Sequence, residues 1–171
     1  MKISWIAAAF ARDLKSLKRE IAAYPDERDL WKTVPGIANS GGNLALHLAG
    51  NVRHFIGAVL GGNGYVRNRD AEFNRKDAPR SEVLAEIDAA MTAVQAGLAR
   101  VTETDLEKPY PQPIGGQQLA IGDALLHLVT HLTYHVGQID YHRRIVTGQN
   151  VAVGTVALSE LATAKPVSPG R

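Results

Sequence analysis

Four stretches of this chain carry apolar residues at spacings of three and four, and no stretch alternates with period two over any length. That pattern commits the chain to helices packed on helices, because only a 3.6-residue period gathers such residues on one stripe. Residues 3–23 place Ile3, Ile6, Ala7, Phe10, Leu14, Leu17 and Ile21 on the first stripe, which Pro25 and the charged run Asp26 to Asp29 terminate. The second stripe holds Leu44, Leu48, Val52, Phe55, Ile56 and Val59, with Asn43 as its expected cap and Gly61, Gly62 and Gly64 ending it. Val83, Leu84, Ile87, Met91, Val94 and Leu98 form the third, from an expected cap at Ser81 to about Val101. Its early turns carry Glu82 and Glu86, where the helix dipole favours acids. The fourth starts near Gln118 and runs through Ile121, Leu125, Leu128, Val129, Leu132, Val136 and Ile139 to Gly148.

The connections are long. Pro35, Ser40, Gly41 and Gly42 mark a loop before the second stripe, and the polar stretch 61–80 has no sustained period and crosses the molecule. Pro109, Pro111, Pro113, Gly115 and Gly116 forbid helix before the fourth stripe. The expected architecture is an all-α four-helix bundle with crossover connections. It forms a single domain over residues 1–164, with residues 165–171 as a mobile tail.

A chain of 171 residues with 45% hydrophobic and 21% charged residues has enough apolar material for one self-supporting core. It contains no cysteine, which excludes disulfides, thiolate metal sites and a cysteine nucleophile, and leaves histidine and carboxylates as metal donors. The formal charge is +2, and the run Arg67, Arg69, Arg75, Lys76 and Arg80 is broken by Asp70, Glu72 and Asp77. A solvated loop, with no nucleic-acid footprint, is the expectation. The N-terminus lacks the apolar core of a signal peptide, and no segment reaches the roughly 20 apolar residues of a membrane span. A cytoplasmic protein without a membrane partner is expected.

All six histidines fall on the second and fourth stripes: His47 and His54 on one, His127, His131, His135 and His142 on the other. Helical positions four apart are rotated by about 40° and rise by about 6 Å, so two such imidazoles can face one ion. Both His127 with His131 and His131 with His135 satisfy this, and spacing alone leaves the choice open. Three histidines at successive four-residue steps drift by about 80° round the helix, so a third nitrogen has to come from another helix. His47, set among Leu44, Leu46, Leu48 and Ala49, is the natural donor. A lone histidine in an apolar stripe is more often a hydrogen-bonded core residue than a ligand. Several neighbouring ones are costly to bury without a shared cation.

The run His131-Leu-Thr-Tyr-His135-Val-Gly137-Gln138 resembles the HxxxHxGQ signature of the DinB superfamily, the DNA-damage-inducible-like metalloproteins. The segment Asn43-Leu-Ala-Leu-His47-Leu-Ala is similar to the one that carries that family's first ligand. The resemblance implies an up-up-down-down bundle, and it selects His47, His131 and His135 as ligands in place of His127. It also implies one divalent ion per chain, Zn²⁺ or Ni²⁺, and a homodimer. Asn51, His127 and Gln138 are the candidates for the surroundings of the ion or the substrate side, with Asp123 placed to orient His127.

Three histidines leave coordination positions open, the arrangement of a reactive site. Such an ion can lower the pKa of bound water or activate a thiolate. Characterised relatives in the resembling family are mostly thiol-using transferases or isomerases. The resemblance therefore implies a thiol-dependent S-transferase or isomerase acting on a small molecule, with a low-molecular-weight thiol as partner. A metal-dependent hydrolase, or a non-catalytic bundle stabilised by metal with a binding or assembly role, stands as the alternative. Tyr134 and Tyr141 are expected in packing or a subunit contact, and Tyr65, Arg67 and Arg69 as residues that close over a substrate.

Overall fold

The computed structural model describes residues 2–154 and 156–167. Each periodic stripe forms a helix: α1 is Ile3–Ala22, α2 Gly41–Val52, α4 Arg80–Leu98 and α5 Ile121–Thr147, while a short α3, Arg69–Asn74, lies inside the second connection. The described residues contain no strand, only two isolated bridges in the loop before α5. No described helix is long and apolar enough to cross a membrane. The stripe of α1 is buried as its spacing demands, with Phe10, Leu14, Leu17 and Ile21 at the centre of one core shared with Leu48, Ile87, Leu125 and Leu132. The loop before α5 closes on itself through Tyr110 and Leu119, and Gly115 and Gly116 supply the positive φ of its turn.

Helix α2 starts earlier than its expected cap. Ser40 accepts the amide of Asn43, so Gly41 and Gly42 are the first helical residues and not a loop. They are glycine because neighbours press on them: a Cβ on Gly42 would lie 2.8 Å from the Trp31 ring, and one on Gly41 2.3 Å from the Tyr24 hydroxyl. Asn43 instead binds α3 down, donating to the carbonyls of Glu72, Phe73 and Arg75. Every residue of α2 is buried, and the helix continues as a π-helical segment, Arg53–Leu60, to the glycine cluster. Helix α4 opens at Arg80 behind Pro79 and not at a Ser81 cap, and it closes at Leu98. Gly148 ends α5 in the left-handed conformation.

Helices α1 and α2 each pack against both α4 and α5. The pairs Asp13–Thr133 and Glu20–Arg143 advance together, so α1 and α5 run parallel. Lys18 meets Asp88 while Ile3 and Leu98 share a groove, so α1 and α4 are antiparallel. Arg53 pairs with Glu86 and Gly57 touches Ala93, which makes α2 and α4 parallel, whereas Gly41 beside His142 and His47 beside His131 make α2 and α5 antiparallel. The order along the chain is therefore up-down-down-up, and the expected up-up-down-down order is corrected. Loop composition marks where a helix stops, but not the end of the bundle to which the chain returns. The overhand connection is 61–79, between parallel helices, and it carries α3 across the outer face of α2.

After Gly148 the chain folds back onto α1, where Arg19 donates to the Gly154 carbonyl and to Glu160 of a 3₁₀ turn at Leu158–Glu160. Of the expected tail, residues 165–167 are exposed and residues 168–171 lie outside the described residues.

Candidate metal centre

His131 and His135 stand one turn apart on α5 and face His47 on α2, and the three offer nitrogen atoms that all lie within 4.8 Å of one another. His47 Nε2 and His131 Nε2 are 3.3 Å apart. That matches the edge of about 3.4 Å expected between two nitrogens each bound at about 2.0–2.1 Å to a tetrahedral zinc. The donor set and its spacing therefore fit a divalent ion.

The outward nitrogens are fixed by partners. His47 Nδ1 lies 3.1 Å from Glu72 Oε2, and Arg67 holds the same carboxylate through Nε and Nη2, each at 2.7 Å. Arg67 Nη2 also lies 3.1 Å from His47 Nδ1, but both are donors when Nδ1–H donates to the Glu72 carboxylate. The carboxylate prevails because it is the only acceptor of the three. Burial alone would raise the Glu72 carboxyl, but hydrogen bonds from Arg67 and His47 outweigh it and hold the group below the usual carboxylate range. An ionised Glu72 keeps the proton on Nδ1 and leaves the His47 Nε2 lone pair for the cluster. His135 is held the same way: its Nδ1 lies 2.6 Å from Gln138 Oε1, which orients its other nitrogen inward.

His131 lacks such a partner, and its Nδ1 is a buried polar atom without a hydrogen bond among the described residues. Burial, then the neighbouring His135 and His47, push its pKa down to about 4, and burial lowers His135 as well. These imidazoles stay neutral near pH 7, the form that donates to a metal. If both facing Nε2 atoms present lone pairs at 3.3 Å, they repel unless a cation lies between them.

The remaining candidates separate. Gln138, expected near the site, contacts the His135 ring itself. Asn51 is buried with Oδ1 unpartnered, and among the described residues no hydrogen bond joins it to the cluster. His127 is exposed, its ring centre 6.1 Å from that of His131, and it does not join the three. Asp123 is exposed and makes no hydrogen bond to His127. His54 sits against Gln112. His142 is a core residue, taking the Tyr24 hydroxyl on Nδ1 and donating from Nε2 to the Lys32 carbonyl, each at 2.8 Å.

Glu72 is the site residue that sequence reasoning missed, having been counted only as a break in a basic run. The signal was short: Asn68 caps α3 by accepting from Ala71, with Asp70 and Glu72 in the first turn. Gly50 makes room for it, since a Cβ there would fall 2.1 Å from Glu72 Oε1. Arg67, expected to close over a substrate, is occupied by Glu72, while Arg53 stacks on Tyr65 and Arg69 on Phe73.

A cleft of about 500 Å³ opens beside the cluster, between α5 and the loop before α2, with His135 and Gln138 in its wall. Tyr134 and Tyr141 line it and are 65% and 72% exposed, so of the two expected roles, packing or a subunit contact, packing in the core is not theirs.

Among curated proteins, none matches this chain. A family model described as a protein of unknown function, DUF1572, matches residues 3–160, and the chain accordingly belongs to the DUF1572 family.

Proposed function

We propose that this chain is a divalent-metal-dependent enzyme that binds one Zn²⁺ or Ni²⁺ through His47, His131 and His135 and acts on a small molecule. The observation that supports it most is the convergence of three imidazoles from two helices, two of them pinned at Nδ1 by Glu72 and Gln138. A divalent ion held there supplies Lewis acidity toward an oxygen or sulfur donor. Glu72, anchored by Arg67, keeps the proton on His47 Nδ1, and Gln138 does the same for His135. With the flanks of α2 buried, the chain supplies no fourth histidine or carboxylate to the cluster among the described residues, which favours an open, reactive site.

The resemblance to the DinB superfamily extends this reading to a thiol-dependent S-transferase or isomerase built on one bundle domain over residues 1–164. A cytoplasmic homodimer is part of the same proposal. The test is elemental analysis of untagged protein beside His47→Ala and His131→Ala. We expect close to one Zn or Ni per chain in the parent and little in the variants. A parent that takes up neither metal when both are supplied refutes the proposal.

A further inference from the structure

The cleft beside His135 has a composition that the metal proposal does not use. Ile37 and Leu44 form one wall, Tyr134, Tyr141 and Ile145 of α5 the other, and His135 with Gln138 closes the end nearest the cluster. Among the described residues that line it, none is lysine, arginine, aspartate or glutamate. Its volume of about 500 Å³ lies within the range of about 300–1,000 Å³ typical of small-molecule sites. Ile37, Tyr134, Tyr141 and Ile145 are each about half exposed or more, which leaves apolar surface in water beside His135, the member of the three-histidine group that lines the cleft.

We propose that this cleft holds the body of the substrate, and that this body is uncharged and aromatic or branched-aliphatic, with its reacting oxygen or sulfur directed toward His135. The inference rests on the metal reading for the direction of the reacting group. It disfavours in the cleft a peptide-like thiol with free carboxylates, because among the described lining residues no lysine or arginine is present to pair them. Among the described residues the polar groups at the wall are Asn39, Gln138, His135, His142 and the hydroxyls of Tyr134 and Tyr141, which can orient a neutral group but offer no lysine or arginine to neutralise a charge.

The test uses the neutral fluorophore N-phenyl-1-naphthylamine, titrated into metal-free and Zn²⁺-loaded full-length chain, with 2-phenylethanethiol and glutathione as competitors. Ile37→Asp and Ile145→Asp place a charge in the cleft at exposed positions, and Ala8→Asp places one in a second apolar groove of about 560 Å³ between α1 and α4. We expect the parent to bind the fluorophore and the two cleft variants to bind it at least about tenfold more weakly, with Ala8→Asp unchanged. 2-Phenylethanethiol should displace it at a concentration at least about tenfold below that of glutathione, a difference of about 1.4 kcal/mol. Equal competition by glutathione, a loss confined to Ala8→Asp, or no binding by the parent overturns the inference. So does a parent dimer that Ile145→Asp dissociates with a gain of fluorophore binding, since a second copy would then cover the face. Elemental analysis of the same samples separates the two readings. A metal-free parent that keeps the expected pattern removes the metal proposal alone, and a metal-bound parent without the pattern removes the cleft alone.

Discussion

Replacing Glu72 with glutamine isolates the contribution of a residue 25 positions from His47 in sequence but 3.1 Å from its Nδ1. The side chain keeps its size, so the tight approach to Gly50 is unaltered, but the negative charge and one acceptor oxygen are lost. Glu72 accepts from His47 and twice from Arg67, and Arg67 is largely buried with it. The neutral amide no longer favours the Nδ1 proton and leaves the guanidinium short of one charged partner. Partners of this kind change metal affinity by about 10- to 100-fold, or about 1.4–2.7 kcal/mol. A competition titration of Zn²⁺ against a chromophoric chelator measures it directly, with Glu82→Gln, the surface partner of Arg75, as the control. Circular dichroism checks that the helices persist. We expect Glu72→Gln to weaken Zn²⁺ binding at least about tenfold while Glu82→Gln leaves it within about threefold. Unchanged affinity in a folded Glu72→Gln protein would refute the assignment of Glu72 as the group that orients His47.

Arg143 and Glu20 form an ion pair with both side chains fully buried between α1 and α5. Arg143→Leu, which strands the carboxylate, should cost about 3–5 kcal/mol in urea unfolding, and adding Glu20→Leu should recover part of it. Gly42→Ala forces a methyl against the Trp31 ring and should destabilise by about 1–3 kcal/mol, whereas Gly137→Ala, with nothing within 4 Å, should stabilise by about 0.5–1 kcal/mol; thermal melts of the two variants decide both. Burial holds the His142 imidazole below its ordinary value. The unfolded chain therefore takes up a proton near pH 6.5 that the folded chain refuses, so stability is full above that pH and falls as pH drops through it. Denaturant midpoints at pH 7.5 and 5.5 should show this fall, and His142→Gln, which cannot titrate, should reduce it.

Much of the helical content was legible because α1, α4 and α5 bury a stripe, and a stripe is a property of sequence spacing alone. His131 and His135 were legible for the same reason: one turn of helix fixes their relation before any packing. Ser40, Gly41 and Gly42 read as a loop because glycine disfavours helix in isolation, and the pressure of Trp31 and Tyr24 that requires glycine exists only in the folded molecule. The direction of the helices was not legible either. A connection such as 61–79 has the composition of a loop whether it turns back at one end or runs the length of the bundle.

The sequence by itself determined the four long helices, the absence of thiolate ligands and the candidacy of His47 with the histidines of α5, since these follow from residue type and local spacing. Tertiary structure decided that His47 Nε2 meets His131 Nε2, that His127 stays outside, and that Glu72 and Arg67 stand behind His47. The physical reason is range: periodicity acts over a few residues, whereas the pairing of α2 with α5 and the return of α3 across α2 depend on which burial of the whole chain is lowest in free energy.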